Sequence, residues 1–323
     1  MIILFANRGY CHTHNALKRQ RDFSFRVWPY ARLFRARRLP PATYIFTDLD
    51  RLHWWDLEMA GRRARDLREA GMRVLNDPAR VSHRHHLLTS LYDAGINDFT
   101  AWYAGERPPA AAYPVFLRTE SAHRGALTGL LHTPAALENA EREALDAGVP
   151  RRELMIVQYR AEPIADGLYR KLAVYRVGDT LVSALCAHED QWMAKNGVQG
   201  IAGPQWYEDE YALVTGKSYP ETLRAAFRVA SIDYGRADYG LVAGHPAIYE
   251  INTNPMLKPL THHSYPIRLE SYAVFERNLI AAFSAIDGPA TGRSVRPTDP
   301  RTLRMWLRDL WRQRQWRRVP SMP

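Results

Sequence analysis

Between residues 231 and 255 the chain reads Ser-Ile-Asp-Tyr-Gly-Arg-Ala-Asp-Tyr-Gly-Leu-Val-Ala-Gly-His-Pro-Ala-Ile-Tyr-Glu-Ile-Asn-Thr-Asn-Pro. This stretch constrains the fold more than any other. It places an Asp, a Glu and an Asn on two adjacent strands. With Ala243-Gly244-His245 as a three-residue turn, Val242 pairs with Pro246 and Asp238 lies opposite Glu250. Strand side chains alternate faces, so Glu250 and Asn252 point the same way as Asp238, while Tyr249 and Ile251 take the other side. Pro246 is tolerated as the first residue of a strand. A turn one residue longer would send Glu250 to the opposite face.

Three hard oxygen donors on one sheet face suit Mg²⁺, which takes a few protein oxygens and completes its octahedron with water and phosphate. Two carboxylates this close repel each other unless a cation sits between them. Arg236 lies two residues before Asp238 and projects from the same face. A guanidinium there suits the neutralisation of a transferring phosphoryl group.

Arg236-Ala237-Asp238 followed by Glu250-Ile251-Asn252-Thr253-Asn254-Pro255 resembles the metal-binding core of the ATP-grasp superfamily. That superfamily includes D-alanine–D-alanine ligases, glutathione synthetases and ribosomal-protein glutamate ligases. The specific part is the Glu, the Asn two residues on, one or two small or polar residues, then Pro. The resemblance covers residues 72–290. It implies an α/β (α+β) ATP-grasp fold with two α+β lobes clasping ATP, preceded by a small parallel α/β domain. It also implies Asp238, Glu250 and Asn252 as Mg²⁺ ligands and Arg236 as the catalytic residue that stabilises developing charge.

Further ATP-binding positions follow from the same resemblance. Val115-Phe116-Leu117-Arg118 stands where the family has a strand ending in a nucleotide-binding Lys, so Arg118 replaces a point charge with a planar fork. The loop from Thr119 to Gly125 is not the family's glycine-rich phosphate loop; His123 and Arg124 either substitute for it or lie on a plain surface loop. Met155 to Tyr159 resembles the strand and hinge beside adenine, with Gln158 in place of the usual acid, and Val157 or Tyr159 packing on the base. Lys171 and Lys195 fall where relatives keep groups near the phosphates. The implied activity is ATP-dependent joining of a carboxylate to an amine through an acyl phosphate. A phosphotransferase on the same fold is one alternative. A basic nucleic-acid- or membrane-binding protein with a degenerate ATP site is another.

Periodicity and turn residues supply the remaining organisation. Residues 2–6 and 43–47 read as buried strands, and Ala60, Ala64, Leu67 and Ala70 mark a helix that Gly71 stops. With a short strand at Met72 to Leu75 this gives a parallel α/β unit, residues 1–80. An ATP-grasp region follows over 81–290, its smaller lobe at about 113–165 and its larger at about 166–290. Helices are expected near 84–94, 134–147, 219–230 and 269–286, and a hairpin around Gly178-Asp179.

The formal charge of +10 is concentrated in two segments. Residues 17–38 carry +7 and residues 301–323 carry +6, which leaves the remainder at −3. Such arms fit an acidic partner: a polyacidic or phosphorylated substrate, nucleic acid or an anionic membrane. Leu303, Trp306, Leu307, Leu310 and Trp311 form an apolar stripe on a basic helix beyond a Gly/Pro/Ser/Thr linker. Such a helix is expected to dock on its own domain or at a subunit interface, so a homo-oligomer stays open. The run Ser82-His83-Arg84-His85-His86 reads as a solvated helix face, and Cys11-His12-Thr13-His14 as a loop. His262-His263 is a weaker candidate for the acceptor pocket. Two cysteines, Cys11 and Cys186, are too few for a disulfide framework. With no run of about 18 apolar residues and no leader-like start, a cytoplasmic setting is expected.

Overall fold

The computed structural model describes residues 1–121, 125–216, 219–288, 293–299 and 301–316. The chain opens on β1 (Ile2–Ala6), buried at every residue as its unbroken apolar run requires. Three more strands, β2 (Phe25–Pro29), β3 (Thr43–Phe46) and β4 (Val74–Leu75), join it in a parallel sheet of order β2-β1-β3-β4. Helices α1 (Tyr30–Arg35) and α2 (Trp54–Glu69) connect them. Ile3 and Phe5 face one apolar cluster with Leu33, Ala60 and Leu67, whereas Ile2, Leu4 and Ala6 face another with Phe283 and Tyr175. Helix α1 and β2 lie inside the basic segment 17–38 and are masked there by the arginines between their apolar residues.

Helix α3 (Arg84–Asp93) then leads into β5 (Ala101–Tyr103) and β6 (Val115–Thr119). After α4 (Pro134–Asp146), strand β7 (Leu154–Gln158) enters between β5 and β6 to make a three-stranded antiparallel sheet. The second antiparallel sheet is built on β9. It contains β8 (Pro163–Ala165), β9 (Leu168–Val177), β10 (Thr180–Ser183) and β11 (Ala187–Glu189). Helices α5 (Pro204–Thr215) and α6 (Pro220–Val229) precede β12 (Tyr234–Val242) and β13 (His245–Asn252), which complete the order β10-β9-β12-β13. Helix α7 (Pro266–Ile286) packs on this sheet, and α8 (Leu303–Trp316) ends the described chain. Proline stands in the first turn of α4, α5, α6 and α7, where its missing N–H costs nothing.

One buried side chain joins the parallel sheet to β12. Asn76 Nδ2 donates to Phe46 O (2.9 Å) and Tyr234 O (2.7 Å). Its Oδ1 accepts the N–H groups of Asp233 (2.8 Å) and Tyr234 (2.9 Å). Asn76 holds this position at φ +60°, a left-handed conformation that Asn tolerates better than most residues.

The structure corrects two expectations here. The β12–β13 turn has two residues, Ala243 and Gly244, both at positive φ, and Val242 pairs with His245 instead of Pro246. A β-bulge then leaves Tyr249 without a cross-strand partner, and the register beyond it returns Asp238 to Glu250. The expected pairing of the two acids therefore holds, for a different reason. In the C-terminal helix, Leu303, Leu307 and Trp311 are exposed instead of docked on their own domain, the first of the two placements expected. The side chain of Leu310, with residues 317–323, lies outside the described residues, as do His123 and Arg124. Among the described residues no helix is long and apolar enough to cross a membrane.

Candidate active site

Strands β9, β12 and β13 form the floor of a cleft, and the β5-β7-β6 sheet forms its roof. The cavity measures about 350 Å³. Arg118, Val157, Gln158, Tyr159, Lys171, Lys195, Arg236, Asp238, Glu250 and Asn252 all line it. The residues that the resemblance marked as ATP or Mg²⁺ contacts are thus brought to one place. The bulge at Tyr249 explains one surprise: Tyr249 and Glu250 both face the cleft, although strict alternation would separate them.

Among the described residues, two cations hold each acid. Asp238, 1% exposed, receives Arg236 Nε at 2.6 Å on Oδ1 and Arg236 Nη2 at 2.9 Å on Oδ2, and Lys171 Nζ reaches Oδ2 at 3.1 Å. Glu250 Oε2 receives Arg84 Nη2 at 2.9 Å and Arg118 Nη2 at 3.3 Å. Burial, with Arg84 adjoining, pushes the Arg118 guanidinium down to about 10, so it remains charged at neutral pH. Arg236 moves the other way: burial opposes its charge, but Asp238 beside it holds the guanidinium firmly protonated. Asn252 Oδ1 accepts the Asn254 N–H at 2.8 Å.

Arg84 corrects the expectation of a solvated helix face. Its side chain is 8% exposed. Besides Glu250, it donates to Thr119 O at 3.0 Å and to Glu120 O. His85 stacks on Tyr103 with ring centroids 3.7 Å apart. The approach of β6 and β13 turns Arg84 inward, whereas His83 and His86 stay exposed.

The far end of the cleft is aromatic. The Trp192 ring lies 4.8 Å from Phe116 and 5.5 Å, nearly perpendicular, from Tyr159. Met193, Phe99 and Tyr249 extend the same wall. The hinge N–H groups are engaged within the protein: Gln158 donates to Thr100 O (3.1 Å) and Tyr159 to Pro114 O (3.0 Å). The cleft wall continues past them through Arg160, Ala161 and Glu162.

No protein-family model matches the chain, and no curated protein matches it significantly in sequence. Among solved structures, the ATP-grasp ligase PsnB complexed with a minimal precursor aligns with a TM-score of 0.53 at 16% identity, over 89% of this chain and 99% of that one. The fold is ATP-grasp. D-alanine–D-alanine ligase from Coxiella burnetii aligns at TM-score 0.49 and 11% identity over 98% of each chain. A RimK-domain ATP-grasp protein from Sphaerobacter thermophilus aligns at 0.47 and 13%, over 89% and 99%.

In this ATP-grasp chain a second cleft, about 560 Å³, opens beyond the first. The two share Lys171, Lys195, Asn196, Arg236, Asp238 and Asn252. Lys195 reaches from that boundary toward the 119–125 loop: a Cβ on Gly125 would sit 2.6 Å from its Nζ. His262 and His263 do not line the second cleft; His263 is buried against Tyr207 with ring centroids 4.8 Å apart.

The donor set fits a divalent cation. Two carboxylates and an amide oxygen converge on one cleft, all hard oxygens. Among the described residues no three His, Cys, Asp or Glu side chains cluster as metal ligands. Trp192, Phe116 and Arg84 were missed from sequence. Phe116 neighbours the recognised Arg118, which was the one available signal.

Proposed function

We propose that the chain is an ATP- and Mg-dependent ligase that joins a carboxylate to an amine through an acyl phosphate. The observation that carries this reading is the meeting of two clefts at the Lys171–Asp238–Arg236 cluster. One cleft is aromatic at its far end and cationic at the boundary, which suits a base at one end and phosphates at the other. The other cleft leads to the same boundary from the opposite side.

Lys171, Lys195 and Arg236 would hold phosphate oxygens, and Arg118 would add a bidentate cation. Asp238, Glu250 and Asn252 would hold Mg²⁺, which would offset the negative charge of the phosphates. A carboxylate oxygen from the second cleft attacks the γ-phosphorus while the bond to ADP breaks. The amine nitrogen then attacks the acyl carbon, phosphate leaves, and the nitrogen releases its proton to solvent. The protein's part is orientation and electrostatic stabilisation.

The test is ADP release from Mg-ATP across a panel of carboxylates and amines, run beside Asp238→Asn. The wild type should release ADP only when both substrates are present. The variant should lose about 100-fold or more in rate. Equal rates for the two proteins would refute the reading.

A further inference from the structure

We propose that the second cleft takes a carboxylic acid with a long or bulky apolar body, its carboxylate facing Lys171 and Lys195. The proposal deepens the ligase reading by naming a substrate class for the same site.

Polarity in this cleft is arranged by position. Its boundary with the nucleotide cleft carries Lys171, Lys195 and Arg236 against one acid, Asp238, with which Lys171 and Arg236 pair, so the boundary keeps a net positive charge. That end attracts a carboxylate and repels an ammonium group. Away from the boundary the walls are apolar, with Leu17, Leu257, Leu260, Tyr272, Leu279 and Ile280 prominent. Several of these belong to, or pack against, the core cluster that contains Phe275 and Phe283. The cleft is therefore an opening onto the hydrophobic core, and an apolar ligand would extend that core instead of displacing well-held water.

The remaining charged groups in the wall are engaged or peripheral. Glu276 Oε1 accepts the Tyr272 hydroxyl at 3.2 Å. Asp238 is held by Arg236 and Lys171. Arg268 donates to Cys186 O at 2.7 Å, pairs with the buried Glu210 at 3.5 Å and approaches His263 Nε2 at 3.4 Å. Lys258 sits exposed at the rim. A small polar amino acid would find one anion site and then a wall of mainly aliphatic and aromatic side chains. A volume of about 560 Å³ is far more than a two- or three-carbon acid needs, and lies within the usual range of ligand pockets.

The test measures equilibrium binding to the full chain, without nucleotide and below micellar concentrations. The probes are butyrate, hexanoate, octanoate and decanoate, with octylamine and succinate as matched controls. Affinity should rise about fourfold per methylene, and octanoate should bind at least tenfold more tightly than octylamine or succinate. Leu260→Glu, a half-buried loop position, should abolish the chain-length dependence while leaving ATP binding and the circular dichroism spectrum unchanged. Affinity that is flat with chain length, or succinate binding as tightly as octanoate, would overturn the proposal. Because this assay contains no ATP, its failure is separable from that of the ligase reading. A chain that binds octanoate yet releases no ADP with any acid and amine pair sinks the ligase and leaves the cleft assignment standing.

Discussion

Glu250→Gln removes one negative charge from between two guanidiniums while keeping the side-chain shape. Arg84 and Arg118 contact the same oxygen at 2.9 and 3.3 Å and are only 8% and 10% exposed. At an effective dielectric near 20, each contact is worth on the order of 5 kcal/mol before desolvation is subtracted. Removing one partner of a buried pair costs about 3–5 kcal/mol, because the other charge stays behind. Glu250 is itself 22% exposed, so the low end, about 3 kcal/mol, is expected. Equilibrium urea unfolding at neutral pH reads this directly. Arg84→Met added to Glu250→Gln should recover about half of the loss by removing the cation–cation repulsion. Recovery is partial because Arg84 also holds the carbonyls of Thr119 and Glu120. Pyrophosphate should stabilise Glu250→Gln more than the wild type, since it supplies the missing negative charge. A single variant within about 0.5 kcal/mol of wild type, the range of ordinary surface changes, would refute the reasoning.

Three other outcomes follow from the geometry. Asn76→Ala leaves four backbone groups without their side-chain partner and should cost more than about 4 kcal/mol in the same unfolding assay. Gly240→Ala puts a Cβ 2.2 Å from the Tyr249 hydroxyl. The ring must shift within the cleft, so nucleotide affinity in a direct titration should fall about tenfold while the fold persists. For pH dependence, burial, with Arg268 and Arg170 nearby, pushes the His188 imidazole down to about 4 from 6.5. The unfolded chain then binds a proton that the folded chain refuses, so this group removes stability as pH falls from about 6.5 toward 4, and His188→Gln should flatten that slope. Glu210, pushed up to about 7 from 4.5 by burial, acts oppositely. Its contribution is present at low pH and is lost as pH rises through about 7, so Glu210→Gln should steepen the acid-side loss.

What could be read from the sequence was what local chemistry encodes. Glu250-Ile251-Asn252 carries its own strand alternation, and Asp238 follows from pairing, so the convergence of these three side chains on one cleft could be expected. Arg118 and Lys171 were named only by their position in the family resemblance. Arg84 was not, because a helix with His and Arg on several faces gives no sign of which face another sheet will cover. Helix α5 was missed for a related reason: Tyr207, Glu210 and Val214 are its buried residues, and a buried Glu breaks the apolar pattern. The turn was misjudged because Ala243 carries a positive φ without the Asn-Gly signature that usually announces it. The missing turn residue and the extra bulge residue offset each other, which preserved the acid pairing.

That bulge also sets a length scale. Tyr249 helps close the aromatic end of the first cleft, and its chain neighbour Glu250 anchors the charged end. One unpaired residue therefore gauges the separation between a flat apolar slot and an ionic floor. Lengthening the hairpin tip by one residue and deleting Tyr249 would keep every acid in register, yet yield a chain that grips polyphosphate and no longer discriminates what is attached to it.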